Sequence, residues 1–279
     1  YPADVQCKFD GNRCLAYWEG DRVVLMTRGR KEWDLPHIKE QLEKCLPKEA
    51  FFDGELYLHG FKRQTINQWV KKAYPESKNI QFHIYDIPRD ENGEEKPWVE
   101  RKLDIAKLVP GTPQSPDVNT PHLYPVEVHE VQNEAEVYRL EAEFVSNGYE
   151  GAMVRNHKGM YDWGKRSKDL LKVKRFVDAE FKVVGYTEAE GGHSGCVKWL
   201  CSINKYTPII GFVSEKPKDD PNLFLVVPNG KLKERQEWFR EADQYMGQML
   251  TVKYQELSLD GIPQIAKGIG FRLPEDMDE

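Results

Sequence analysis

Cys7-Lys8-Phe9-Asp10-Gly11-Asn12-Arg13 sets a lysine, a carboxylate, a glycine and an arginine within six consecutive positions near the start of the chain. Lysine attacks only as the free amine, and an ordinary one keeps its proton to about pH 10.4. Neighbouring positive charge or a metal ion lowers that value. Asp10 stands two residues beyond Lys8, where a short carboxylate orients the amine or a metal-bound water. Gly11 lets backbone come close to a ligand. Arg13 offers a planar fork to phosphate or nucleotide oxygens. Taken alone, this pattern reads more readily as a surface lysine in a turn, so the decision rests on residues further along the chain.

Four later stretches supply partners. Asp53-Gly54-Glu55 lies in the alternating run Phe51–Leu58, which ends at His59-Gly60. A carboxylate in such a strand is unfavourable unless it is paired or bound, so Glu55 is the candidate ligand and Asp53 its support. Tyr85-Asp86 closes the aromatic run Ile80–Ile87, and Glu150-Gly151 opens the strand-like Glu150–Arg155. In Leu170-Leu171-Lys172-Val173-Lys174, strand alternation puts both lysines on one side, where two like charges call for an anion. Arg28 follows the second strand in Thr27-Arg28-Gly29. Gln6 precedes Lys8 by two residues and carries an amide able to pair with an adenine edge.

In this order the five elements resemble the covalent nucleotidyltransferases, the family of ATP-dependent DNA ligases, RNA ligases and mRNA capping enzymes. The resemblance runs from Gln6 to about Asp276. It implies catalytic roles for Lys8, Asp10, Arg13, Lys172 and Lys174. It implies nucleotide contacts from Gln6, Arg28, Glu55, Tyr85, Glu150, Arg272 and Asp276, with Tyr85 stacked on the purine. Glu55 and Glu150 would hold Mg²⁺, whose usual shell combines carboxylates with substrate phosphates. Lys8 would attack the α-phosphate of ATP and release pyrophosphate. AMP would pass to the 5′-phosphate at a nick in duplex DNA, and the 3′-hydroxyl would displace it. The closing stretch Gly270-Phe271-Arg272-Leu273-Pro274-Glu275-Asp276 departs from the family in part. Gly261-Ile262-Pro263 lacks an arginine found there in cellular enzymes, Lys267 is a substitute, and Met277 stands where a basic residue is common. These departures bear on the pyrophosphate-leaving role of the segment. The expected enzyme is a small viral or phage-like ATP-dependent DNA ligase. RNA ligase and capping guanylyltransferase are the alternatives within the class, and a non-catalytic nucleic-acid-binding module is the alternative outside it.

The expected fold class is α+β. An adenylation domain of antiparallel sheets with helices spans 1–176, and an OB-fold β-barrel spans 177–279. Cys14–Trp18 and Val23–Met26 flank Glu19-Gly20-Asp21, a hairpin signal. Helical periodicity marks Leu35–Cys45, Thr65–Ala73, Pro97–Leu108 and Asn133–Asn147. Beyond Phe176–Asp178 the pattern becomes short strands, Ala179–Tyr186, Cys196–Ile203, Leu223–Val227, Leu250–Glu256 and Ile269–Phe271, with one helix over Lys231–Met246. Five strands and one helix suit an OB-type barrel. Thr207–Asn222, rich in Pro and charge, reads as an inserted loop.

Composition sets the outer bounds. With 39% hydrophobic and 31% charged residues, the 279-residue chain has the balance of a globular protein. No apolar run approaches the roughly 20 residues of a membrane span, so no membrane partner is expected. Five cysteines without CxxC spacing read as reduced thiols in a cytoplasmic protein (host cytoplasm for a viral enzyme) and offer no zinc site. The chain begins on Tyr with Lys8 very early, as expected of a sequence that has lost native N-terminal residues. Net charge is −6, yet Arg155–Arg175 concentrates Arg155, Lys158, Lys165, Arg166, Lys168, Lys172, Lys174 and Arg175 against only Asp162 and Asp169. A local basic surface on an acidic protein fits a DNA partner. Lys198 and Lys253 are further backbone-contact candidates. No obligatory protein partner is indicated, and a monomer is the default.

Overall fold

Short strands joined by turns, with a few helices, build the fold. The computed structural model describes residues 1–217, 220–258 and 260–272. They form two units, Tyr1–Lys174 and Arg175–Glu279.

The first unit holds two sheets. One contains β1 (Ala3–Lys8), β7 (His129–Val131), β8 (Gly151–Asn156) and β9 (Leu170–Val173), in the order β7-β1-β8-β9. The other contains β2 (Asn12–Glu19), β3 (Arg22–Met26), β4 (Phe51–Tyr57), β5 (Gln81–Arg89) and β6 (Leu123–Pro125), in the order β3-β2-β4-β5-β6. Glu19 pairs with Arg22 across a two-residue turn in which Gly20 has φ +62°, as the Gly20-Asp21 signal predicts. Helices α1 (Pro36–Cys45), α2 (Arg63–Lys71) and α3 (Trp98–Leu108) accompany the five-stranded sheet. Its core includes Leu25, Ile38, Leu42, Phe52, Ile66, Phe82, Ile84 and Ile105.

Helix α4 (Glu134–Ser146) packs on the smaller sheet through Val137, Leu140 and Phe144 against Val5, Val131 and Ala152. Asn133 caps it by accepting from the Glu136 amide at 3.0 Å, while Glu136 reaches back to the Gln132 amide at 2.9 Å. Gly148, at φ +87°, ends it in the left-handed conformation.

Two contacts tie the sheets together. Phe9, just past β1, has its ring centroid 4.9 Å from Tyr57 of β4 and 4.7 Å from His83 of β5. Burial pushes His83 down to about 3, so it stays a neutral packing ring, bonded at 3.0 Å to Gln81. The second tie is ionic. Asp86 of β5 receives Arg101 of α3 at 2.7 Å on Oδ1, and Arg155 of β8 at 2.5 Å on Oδ2. All three are buried. Arg155 also donates to Gln6 Oε1 at 2.7 Å and to the Tyr85 carbonyl at 3.2 Å, and lies 4.2 Å over the Trp98 ring.

The second unit contains β10 (Val177–Glu188), β11 (Val197–Ser202), β12 (Gly211–Phe212), β13 (Leu223–Pro228), helix α5 (Leu232–Arg240), β14 (Met249–Tyr254), β15 (Glu256–Leu257), β16 (Pro263–Gln264) and β17 (Lys267–Phe271). The sequence β10-β11-β13-β17-β14 closes back on β10, giving a five-stranded OB-like barrel. Closure depends on the length of β10. Its first half pairs with β14, its second half with β11, and the register shifts between Val183 and Gly185. Val183, Trp199, Phe224, Val226, Leu250 and Val252 fill the interior. β12 falls inside the segment expected as a loop and adds a short parallel pairing to β10. The α+β class is therefore correct for both units.

Two local expectations change, and one strand has no expectation attached to it. Ala3–Lys8 is a strand, although only three apolar-polar alternations announce it. The stretch Leu170–Phe176 is extended only to Val173, leaving Lys174 just beyond the strand. The single helix over Lys231–Met246 is instead α5 followed by a 3₁₀ turn at Ala242–Tyr245. A straight helix of that length would run off a curved barrel. The break lets Ala242 and Tyr245 reach the core, where Tyr245 stacks on Phe271 at 4.6 Å.

Two stability outcomes are expected. Gly54 sits where a Cβ would lie 2.6 Å from Phe82 Cε2, so Gly54→Ala should destabilise the first unit by about 1–3 kcal/mol in urea unfolding. Asp86→Asn leaves two buried guanidiniums short of a charge. It should lose about 3–5 kcal/mol by the same measurement, whereas an exposed control such as Glu76→Gln should not move.

Candidate active site

Strand register assembles the site. Gln6 pairs with Met153, which pairs with Lys172, and Lys8 pairs with Gly151. Alternation therefore places Gln6, Lys8, Met153, Arg155 and Lys172 on one face of the small sheet, opposite the face that packs on α4. Lys8 closes β1, and the Glu150 amide donates to its carbonyl at 2.8 Å. Gly151 is held at φ +151°, and a Cβ there would strike the Val173 carbonyl. The glycine thus lets the end of β9 approach Glu150. As a result the Glu150 carboxylate lies between two ammonium groups, Lys8 on Oε2 and Lys174 on Oε1.

Lys172 is more open. Burial and then the charges of Lys8, Arg166 and Arg28 hold its pKa below the ordinary lysine value. These four cations lie close enough to feel one another, a field that favours an anion. Arg28 itself is exposed in the turn after β3.

The five-stranded sheet supplies the second set of groups. Arg13 faces Glu55 in the β2–β4 register. Its fork, expected to meet nucleotide oxygens, is engaged by Asp53, with Nε to Oδ1 at 3.0 Å and NH2 to Oδ2 at 2.7 Å. Tyr85 donates to Asp53 Oδ1 at 3.2 Å, and Tyr161 donates to Oδ2 at 2.6 Å. Asp53 is thus a buried hub. Burial raises the Glu55 carboxyl to about 8, against the lowering influence of Lys8 and the raising influence of Asp53. Among the carboxylates on this sheet, Glu55 is the one whose environment calls for a cation or a hydroxyl donor.

Several of the remaining expected residues have partners of their own. The Gln6 amide faces the Arg155 network, with Nε2 3.4 Å from the Tyr85 carbonyl. Asp10 is half-buried in the connection between β1 and β2. Arg272 belongs to the second unit and pairs with Glu180. Asp276 lies outside the described residues. Lys198 is 4.0 Å from Glu190, and Lys253 stands 5.3 Å over the Phe176 ring. Burial pushes the Cys7 thiol up to about 12, which makes it a packing group.

Sequence reasoning assigns no site role to Arg155 or Tyr161. Arg155 is legible there only as part of a basic stretch, and a signal exists in its place on the apolar Gly151–Asn156 strand. Tyr161 lies in an irregular loop where no period marks it.

Comparison with known proteins gives the family and the fold. The sequence model of the ATP dependent DNA ligase domain matches residues 2–174. The DNA ligase of African swine fever virus (isolate Warthog/Namibia/Wart80/1980) is 33% identical over 97% of this chain. The chain spans 63% of that relative's length. A solved structure designated Pmar-Lig_Pre superposes with TM-score 0.78 at 22% identity, over 97% of this chain and 63% of that one. A Lig E DNA ligase superposes with TM-score 0.73, also at 22% identity, over 97% of this chain and 93% of the other. At that identity the two structures speak for the fold. With the matched domain covering most of the chain and the lysine, carboxylates and basic strand assembled in one place, the protein belongs to the family carrying the ATP-dependent DNA ligase domain.

Proposed function

We propose that this chain is an ATP-dependent DNA ligase that seals nicks in duplex DNA through a covalent lysyl-AMP. The observation that carries the reading is the Glu150 carboxylate held between Lys8 and Lys174, with Lys172 alongside and Glu55 on the facing sheet. The Lys8 amine, once its proton leaves to solvent, forms an N–P bond to the α-phosphate as the bond to pyrophosphate breaks. Lys172 and Lys174 offset charge developing on the phosphate oxygens. Lys8 then no longer carries the ammonium that occupied one Glu150 oxygen, so that oxygen is freed. The buried carboxyl of Glu55 and the freed oxygen of Glu150 suit a hard cation, and Mg²⁺ bound there supplies charge neutralisation at the phosphates. AMP next moves to the nick's 5′-phosphate, and the 3′-hydroxyl displaces it to make the phosphodiester. Tyr85, anchored to Asp53 and backed by Arg155, is placed as the stacking ring. Arg13, Arg28, Asp10 and Gln6 belong to the same unit and are the supporting contacts. The free thiols of all five cysteines support a reducing compartment such as the cytoplasm. Among the described residues, no helix is long and apolar enough to cross a membrane.

Incubation with α-labelled ATP or GTP and Mg²⁺, followed by a nicked-duplex chase, tests this. Label should attach from ATP and leave on sealing, and Lys8→Ala should abolish attachment while its unfolding midpoint stays near wild type. Label from GTP alone would identify capping chemistry, and no label from either nucleotide would leave a binding module.

The Glu55 carboxyl carries a pH signature. Its folded pKa is raised from 4.5 to about 8, so the folded state binds the proton more tightly than the unfolded one. Its contribution is fully present below pH 4.5 and is lost as pH rises through about 8. Urea midpoints of wild type and Glu55→Gln, measured at acid and alkaline pH, should diverge in favour of the variant as pH rises. Parallel curves would show that Glu55 is not desolvated.

A further inference from the structure

Away from Lys8, on the same strand and the same sheet face, three metal-ligating side chains converge. Asp4 of β1 lies directly opposite Glu130 of β7, and His157 follows the last residue of β8. Their ligand atoms all fall within 4.8 Å of one another. Asp4 is fully buried, and its Oδ1 has no hydrogen-bond partner. His157 Nε2 is likewise buried without one. Yet the two atoms are 3.1 Å apart, and His157 Nε2 is 3.9 Å from Glu130 Oε2. The imidazole nitrogen and the carboxylate oxygen therefore lie at ion-pair distance without the geometry of a full hydrogen bond. Atoms bound to one tetrahedral ion at ~2.0–2.2 Å lie ~3.4 Å apart, which these two spacings bracket.

The surroundings already orient the three groups. The other oxygen of Asp4 accepts from Trp98 Nε1 at 2.7 Å and from Lys102 at 2.7 Å, which turns Oδ1 toward His157. Glu130 Oε1 accepts from Gln132 at 3.1 Å, leaving Oε2 on the His157 side. The His157 carbonyl is tied to the Val99 amide at 3.0 Å. Outer contacts of this kind fix ligand geometry in metal sites. Lys102 offsets one carboxylate charge, so the cluster offers little to a hard ion attracted by charge alone. An imidazole with two single carboxylate oxygens suits a first-row transition ion.

We propose that Asp4, Glu130 and His157 form a binding site for a divalent transition metal of the zinc class, separate from the Lys8 centre. The ion clips β7, β1 and the segment after β8 at the end of the sheet remote from Lys8, with a fourth position open to solvent.

The test uses the full chain, stripped with a chelator and titrated with Zn²⁺ by calorimetry in excess Mg²⁺, with Co²⁺ visible absorption as a second readout. Wild type and Lys8→Ala should each bind one Zn²⁺ tightly and give a tetrahedral Co²⁺ band. His157→Gln and Glu130→Gln should each weaken binding at least about tenfold and remove the band. Glu130 is exposed, so its substitution should leave folding intact even where His157→Gln does not. Absence of Zn²⁺ binding in wild type, or affinity unchanged in both variants, overturns the proposal. Loss of binding in Lys8→Ala would assign the ion to the active centre and overturn it as well.

Discussion

A buried carboxylate forms the ionic tie between the two sheets of the first unit. Asp86 accepts from Arg101 on one oxygen and from Arg155 on the other, and so joins β5, α3 and β8. Arg155 then extends the network to Gln6 of β1 and to the Tyr85 carbonyl. Buried charges are tolerated only when their hydrogen bonds are nearly complete. Here that requirement fixes how the small sheet lies against the large one, because a shift of either sheet strands a guanidinium. Lys8, Lys172, Glu150, Glu55 and Tyr85 are all mounted on those two sheets or at their strand ends.

The proposed active site uses charge differently. Lys8, Lys172 and Lys174 converge, with Glu150 shared between two of them. The lowered pKa of Lys172 expresses its burial first and then the positive charge around it. A phosphate relieves it. Opposite, Glu55 is desolvated and calls for a cation, whereas Asp53 is already satisfied by Arg13, Tyr85 and Tyr161. Two acidic residues close together on one strand therefore have different tasks. Asp53 holds the frame, and Glu55 remains available.

Much of this was legible in the order of residues. The alternation of Phe51–Leu58, the Gly20-Asp21 turn and the Asn133 and Gly148 helix ends each have short-range causes, and each stands where the pattern puts it. The barrel was legible as a run of short strands, although its closure was not. Closure depends on one twelve-residue strand serving two partners, a long-range pairing with no local mark. The 3₁₀ break after Arg240 has the same origin, since helical period continues there while the barrel surface curves away.

The sequence by itself determined which chemical groups are present and the order in which Lys8, Glu55, Glu150 and the Lys172–Lys174 stretch follow one another, an order that resembles the family's. Those features are short-range, set by side-chain type and by periods of two or 3.6 residues. Only the tertiary structure decided which partner each charge takes. Arg13 turns to Asp53, Glu150 is shared by Lys8 and Lys174, Arg155 becomes a buried clamp, and Asp4 meets Glu130 and His157. Those choices rest on strand register and burial, which bring together residues far apart in the chain and which no local pattern encodes.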